Sequence, residues 1–327
     1  MITLGIDVGG TKVLGVGLDG SGSVVAERRA PTPTPAAGEA MLDILATVAA
    51  GLAATVAETA GEDPTALGVG MPGLVQDSRV LRLGPHLAGI VDLDVSAGPL
   101  AGLPGLPGLP VVADNDATCA MAAEHALGAA RDASDALTVT IGTGIGGGVL
   151  CGGRLVRGAH GFAGEIGHMV VDPAGPLCPC GHRGCWEGYA SGRGLGRLAR
   201  DAALGGRAPG LVRRAGGDPE AVRGEHVTGA AAGGDRGALA VLGTFGWWLA
   251  LGLANLVDVL DPEVVIVGGG LAQAGDLLLD PVRDSFAGLV EGAGHRPDVP
   301  ILPAALGERA GAIGAAVIAR AAAHPPV

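Results

Sequence analysis

Four metal-type donors, His168, Cys178, Cys180 and Cys185, fall within 18 positions of this chain, and a loop that gathers them constrains its fold most. Three cysteines and one histidine are a closed ligand set for tetrahedral structural zinc. Gly181 and Gly184 lie between or beside the cysteines, where a tight backbone lets three sulfurs converge on one ion. Two carboxylates, Glu165 and Glu187, bracket the stretch, as if the metal held something else in place. A disulfide, or a surface loop with incidental cysteines, is the competing reading. Three of the five cysteines in the chain sit here, which favours a metal staple. His182 reads as a solvent-facing turn residue, since four donors already complete the shell. Cys119 and Cys151 lie outside the set and read as small buried side chains.

Hydrophobic residues make up 48% of the 327 positions and charged residues 17%, the balance of a globular chain long enough for two lobes. Aromatics are only 2% and glycines number 61, so Ala, Val, Leu and Gly build the core. The net charge of −12 disfavours a nucleic-acid surface, which needs clustered Lys and Arg. Met1 leads at once into a strand-like run without a basic or apolar leader, and the cysteines are arranged as ligands, so the expectation is a cytoplasmic protein. Residues 237–257 carry no charge and approach bilayer length. Asp258, Asp261 and Glu263 follow closely, and a second apolar run, Val264–Val267, ends in three glycines, which makes a buried core helix the better reading than a membrane span.

Two strand–glycine turn–strand units stand about 135 residues apart. The first runs Ile2–Ile6, then Asp7-Val8-Gly9-Gly10-Thr11-Lys12, then Val13–Leu18. The second runs Ala136–Ile141, then a turn over Gly142–Gly148, then Val149–Cys151. A strand at Val24–Arg28, a helix over 38–60 and a strand at Ala66–Met71 follow the first unit. The Pro/Gly stretch Leu103–Pro110 reads as a linker, and Glu308–Ala323 as an amphipathic helix. The pattern is that of a duplicated, two-lobed α/β enzyme that closes on its substrate.

Glycine turns present backbone N–H groups to anions, because no Cβ blocks a phosphate's approach. Thr11 and Thr143 add hydroxyl donors; Asp7 suits Mg²⁺ or its waters, and Lys12 suits phosphate. Each turn taken alone is an ordinary β-hairpin feature. The pair, with Gly268-Gly269-Gly270 after a buried strand, is a stronger signal. A general base should be a carboxylate near a substrate hydroxyl. Val111–Ala117 offers Asp114 and Asp116 at a strand-to-helix junction, where either could instead be the N-cap of the helix that follows.

The motifs D-V-G-G-T-K at 7–12, G-M-P-G at 70–73, N-D-A at 115–117, G-T-G-I-G-G-G at 142–148, E-I-G-H at 165–168, C-P-C-G-H-R-G-C-W-E at 178–187 and D-P-E-V-V-I-V-G-G-G at 261–270 resemble, in order, those of the ROK family of sugar kinases and repressors. That resemblance implies a two-lobed actin-like ATPase (ribonuclease H-like) α/β fold with a zinc-stapled loop. It implies a small lobe over 1–112 joined by a C-terminal helix at 306–327, and a large lobe over 113–305. It also implies Asp116 as catalytic base and Gly73, Asn115, Glu165, His168 and Glu187 around the sugar. Asp7, Gly9, Gly10, Thr11, Lys12, Thr143 and Gly144 would surround Mg²⁺ and the phosphates of ATP, and Gly269 and Gly270 would lie near the adenosine. His168, Cys178, Cys180 and Cys185 would hold structural Zn²⁺. Two positions depart from the family pattern: Thr118-Cys119 follows Ala117 where an asparagine is usual, and His86 also stands for an asparagine.

The activity so implied is ATP-dependent phosphorylation of D-glucose at the 6-hydroxyl by a homodimer or homotetramer. Fructose, mannose, N-acetylglucosamine or N-acetylmannosamine are the alternative substrates, and a non-catalytic sugar sensor is a weaker one. A DNA-binding repressor is disfavoured, because the first motif strand begins at Ile2 and the charge is acidic. Polyphosphate is a less fitting donor, because kinases using it generally lack the full cysteine segment.

Overall fold

The structure is a computed structural model and describes residues 1–33, 37–83, 87, 90–103, 106 and 108–324. His86 and residues 104, 105 and 107 of the expected 103–110 linker lie outside the described residues. In chain order the elements are β1 (Ile2–Val8), β2 (Lys12–Leu18), β3 (Val24–Pro31), α1 (Gly38–Ala60), β4 (Pro64–Met71), β5 (Gly73–Gln76), β6 (Arg79–Leu83), β7 (Val91–Asp94), β8 (Val111–Asn115) and α2 (Asp116–Leu127). They continue with β9 (Ala136–Ile141), β10 (Ile145–Cys151), β11 (Arg154–Leu155), α3 (Glu187–Ala190), α4 (Gly192–Leu204), α5 (Pro209–Arg214), α6 (Gly224–Ala232), α7 (Arg236–Leu260), β12 (Val264–Gly268), α8 (Asp276–Phe286), β13 (Ile301–Pro303) and α9 (Ala310–Ala323). Two compact units result. The first comprises 1–134, 148–164 and 305–327, the second 135–147 and 165–304. The boundary expected at 112/113 therefore falls inside the first unit.

The first unit is built on a five-stranded sheet of order β3-β2-β1-β4-β8. β1, β2 and β3 are antiparallel neighbours, whereas β1, β4 and β8 run parallel. Continuous burial along β1 and β4 marks strands covered on both faces. On one face, α1 turns in Met41, Leu45, Val48, Leu52 and Val56, apolar residues at helical spacing. On the other lie α2 and α9. Helix α9 packs against bare backbone: a Cβ at Gly68 would sit 1.9 Å from the Ala315 carbonyl oxygen. The alanines of α9 and the glycines of β1 and β4 thus replace the bulky side chains this composition lacks. Buried Glu124 near the end of α2 accepts from the Ala129, Ala305 and Leu306 N–H groups (2.8, 3.1 and 2.9 Å), which fastens the chain leading into α9. A small sheet of order β5-β6-β7 completes this unit.

In the second unit β9, β12 and β13 run parallel and side by side, and β10 enters beside β9 with its first residues, Ile145–Gly147. Five residues of β12, Val264–Gly268, are all buried. Helix α7 starts at the N-cap Asp235, which accepts from the Ala238 N–H at 2.9 Å, and buries Val241, Phe245, Leu249 and Leu253. It and α1 are long and apolar enough to span a bilayer by length and composition. Both nonetheless pack within their own unit, and Trp186 lies directly against Gly252 of α7 and donates its indole N–H to the Trp248 carbonyl at 2.8 Å.

Two expectations are corrected. The second glycine turn does not extend to Gly148, because a Gly142 N–H to Gly144 carbonyl bond of 2.9 Å closes it in three residues and β10 begins at Ile145. Gly148 is a strand residue whose missing side chain leaves room for α2: a Cβ there would lie 2.5 Å from Met121. Cys119 is buried as expected, but Cys151 is exposed, because it ends β10 at the Gly152-Gly153 turn.

Candidate functional site

In the first unit the candidate residues collect at the C-terminal ends of parallel strands, where open α/β sheets bind ligands. Asp7 of β1 pairs with Gly70 of β4, and Met71 pairs with Asn115 of β8. Gly70 floors the group: a Cβ there would meet Asp7 Oδ1 at 3.3 Å, the Cys119 sulfur at 3.4 Å and the Asp116 Cα at 3.6 Å. Asp7 also faces Gly311 in the first turn of α9, whose absent side chain leaves room for the carboxylate. Burial, reinforced by the nearby Asp116 charge and only partly offset by Lys12, pushes the Asp7 carboxyl up to about 7. Such a raised acid is what a cation site looks like before the cation's charge is counted.

The N-cap of α2 is neither of the aspartates. Asn115 takes that place, its side-chain oxygen accepting from the Ala117 and Thr118 N–H groups at 2.9 and 3.1 Å. Its amide donates to the Gly73 carbonyl at 3.1 Å, joining two expected sugar-contact residues. Asp114 is buried and structural: it accepts from Arg157 Nε at 2.7 Å and from the Asn115 N–H at 2.9 Å. Asp116, at the first helical position, accepts from the Ala117 N–H at 2.8 Å. Arg157 was missed by sequence reasoning, and nothing in its glycine-rich loop signals it. Burial, then Asp114, Asp7 and Asp116, push the Cys119 thiol well above its usual range, so it is inert packing.

The first glycine turn is tied down by Gly9 N–H to Lys12 carbonyl (2.8 Å) and Thr32 hydroxyl to Gly9 carbonyl (2.7 Å) bonds, leaving Gly10 and Thr11 exposed. Lys12 is paired with Glu308, which also holds Arg29.

In the second unit the donor set assembles. The ligand atoms of His168, Cys178, Cys180 and Cys185 all lie within 4.8 Å of one another. The Cys180 and Cys185 sulfurs are 3.6 Å apart, and Cys178 Sγ is 3.7 Å from His168 Nδ1. Zinc–sulfur bonds of about 2.3 Å at a tetrahedral angle would separate sulfurs by roughly 3.8 Å, so the set fits that ion and no disulfide joins it. Two backbone bonds across the loop, Cys178 N–H to His182 carbonyl (2.7 Å) and Gly184 N–H to Pro176 carbonyl (2.9 Å), fix the cysteines. Gly184 adopts φ 69°, and any Cβ there would strike the Asp172 carbonyl oxygen. His182 is exposed, as expected, with Nδ1 3.5 Å from the Cys180 sulfur. Burial raises the Cys180 thiol, but hydrogen bonds from the His182 backbone, Cys178, Cys185 and the His182 ring bring it down to about 6. Burial and its two sulfur neighbours push Cys185 up to about 12.

With Nδ1 of His168 turned to the cysteines, Nε2 faces Glu165 Oε2 at 3.7 Å. The surrounding protein raises the Glu165 carboxyl, with His168 opposing and Glu187 adding to the shift. Glu187 is buried and accepts from the Ile145 N–H at 3.0 Å, inside the second glycine unit. Gly144 is glycine for that reason: a Cβ there would be 2.2 Å from Glu187 Oε2. Thr143 is exposed at the turn, and Gly269 abuts Ile141 at the end of β9, so Gly269 and Gly270 stand beside the turn.

Residues 3–322 match the ROK family. The chain belongs to the ROK family. It is 37% identical to the glucokinase of Streptomyces coelicolor over 323 residues, covering 98% of each chain. It is 33% identical to the N-acetylmannosamine kinase of Escherichia coli O157:H7, covering 98% of this chain and 99% of the relative. The crystal structure of a ROK family glucokinase from Streptomyces griseus in complex with glucose and AMPPNP superposes with a TM-score of 0.84 at 37% identity, covering 98% and 99% of the two chains. This ROK chain has the α/β fold of ROK sugar kinases and is a phosphotransferase.

Proposed function

We propose that this enzyme transfers the γ-phosphoryl group of MgATP to the 6-hydroxyl of glucose, giving glucose 6-phosphate and ADP. The observation that carries the reading is the pair of carboxylates, Asp7 at the end of β1 and Asp116 just after β8, held on either side of Gly70 of β4, with the Asp7 carboxyl raised to about 7. Asp116 takes the proton from the 6-hydroxyl as its oxygen attacks the γ-phosphorus, and ADP leaves. Asp7 orients Mg²⁺, which supplies charge neutralisation on the phosphates when bound. Gly9, Gly10, Thr11, Lys12, Thr143 and Gly144 offer backbone and side-chain donors to those phosphates, and Gly269 and Gly270 border the adenosine. Catalysis of this kind is mostly positioning and electrostatics.

Asn115, Glu165, His168 and Glu187 bind the sugar hydroxyls, with Gly73 contributing through its backbone. His168, Cys178, Cys180 and Cys185 would hold structural Zn²⁺, with His168 Nδ1 on the metal side, which would fix the imidazole and leave its Nε2 edge for a hydroxyl. The similarity to glucokinases at 37% identity supports glucose over N-acetylmannosamine, whose kinases stand at 33%.

The test is ADP release from MgATP with glucose, mannose, fructose, N-acetylglucosamine, N-acetylmannosamine and no sugar. Turnover led by glucose supports the proposal. Preference for another hexose keeps the chemistry and moves the specificity. No sugar-stimulated turnover overturns the reading.

A further inference from the structure

Glu187 belongs to the sugar residues of the proposed reading, yet its two oxygens are already committed elsewhere. Oε2 accepts from the Ile145 N–H at 3.0 Å, and Oε1 accepts from Arg193 Nη2 at 2.5 Å. The same short segment touches the glycine turn again, where the Gly192 N–H donates to the Gly142 carbonyl at 2.8 Å. Gly144 completes the seat, since any side chain there would occupy the place of Glu187 Oε2. The turn carrying Thr143 is therefore braced from one side by the carboxylate that serves the sugar.

Arg193 stands in the first turn of α4, where the helix macrodipole disfavours a cation. Its pairing with Glu187, whose side chain is only 11% exposed, offsets that local cost. A charge-assisted bond to a nearly buried carboxylate is among the stronger polar contacts. Without Arg193, the Ile145 N–H would be left to hold a charge in a poorly hydrated place, and the carboxylate would reorient to recover solvation.

We propose that Arg193 is a positioning residue that locks the Glu187 carboxylate onto the glycine turn between β9 and β10, so that sugar and nucleotide affinity depend on one bond. The proposal rests on the assignment of Glu187 to sugar and of Thr143 and Gly144 to phosphate. It predicts a shared loss: releasing Glu187 frees both its own hydroxyl-binding geometry and the backbone N–H groups of the turn.

The experiment is calorimetric titration of full-length, metal-loaded protein with glucose alone and, separately, with MgAMPPNP alone. R193A should bind each about tenfold more weakly, while kcat at saturation changes by less than about threefold. R193K should recover part of both affinities, since a lysine keeps the charge without the fork. G144A, which pushes the carboxylate from the opposite side, should reproduce the double loss. R197A is the matched control: Arg197 lies one turn on in α4 and bonds Asp201 and the Gly188 carbonyl instead, so both affinities should stay at wild-type values. If R193A and G144A lose sugar affinity alone, or neither affinity, the coupling is overturned while the function reading stands. If the wild type binds neither glucose nor MgAMPPNP, the function reading falls, and this proposal with it.

Discussion

The two units of this kinase share a sheet plan and differ in what stands at the strand ends. Each has a glycine turn after the first of three parallel strands: β1-β4-β8 in the first, β9-β12-β13 in the second. In the first unit the strand ends carry Asp7, Asp114 and Asp116, and burial together with the nearby Asp116 charge raises Asp7. In the second they carry glycines and Thr143, with the Glu187 carboxylate reaching the turn, and the donor set lies in the cysteine loop. One topology thus supplies two sites of different charge. Carboxylate-rich ends suit a base and a cation, and bare N–H groups suit phosphate.

The sharpest way to break this division is D116N. It should lower kcat by about a thousandfold, within the range expected for losing a general base, with glucose affinity within a few-fold of wild type. A loss below tenfold would move the base elsewhere. In the second unit, C180S should lose the bound metal, measured by elemental analysis, and glucose affinity should fall by about 10–100-fold as His168 and Glu187 lose their scaffold. Unchanged affinity in the metal-free protein would separate loop from sugar.

A pH experiment sharpens the contrast between the units. The folded Asp7 carboxyl, at about 7, lies above its unfolded value of 3.8. Its contribution to stability is therefore complete below about pH 4 and is lost as pH rises through about 7. In the absence of Mg²⁺, D7N should remove that slope. Its melting temperature should match wild type near pH 4 and exceed it at pH 7.5, by the equivalent of about 1–3 kcal/mol, while turnover is abolished. A pH-independent difference would contradict the raised carboxyl. The smallest expected effect is that of E308Q. Lys12 and Arg29 meet Glu308 at the exposed surface, so the melting temperature should barely move and the KM for ATP should change by no more than about threefold. A tenfold change would make Glu308 part of the phosphate site.

Much of this arrangement was legible in the sequence where a residue's chemistry is local. The helix over 38–60, the strand at Ala136–Ile141 and the convergence of His168 with three cysteines all follow from period, glycine punctuation or donor type. What stayed hidden depends on partners distant in sequence. Asp114 and Asp116 look equivalent along the chain; only Arg157, 43 positions away, shows that Asp114 is spent on an ion pair. The N-cap that either aspartate could have supplied belongs to Asn115, also a capping residue, which stands between them. The glycines after Ile145 read as turn, although one of them makes room for helix α2. The tie from Glu187 to Ile145 spans 42 positions and leaves no periodic trace.

The most direct test of the central claim is phosphorus NMR of the products formed from MgATP and glucose. The account predicts glucose 6-phosphate and ADP in equal amounts, with no sugar phosphate from D116N. ATP hydrolysed to free phosphate, or a sugar phosphate formed at the wild-type rate by D116N, would contradict it.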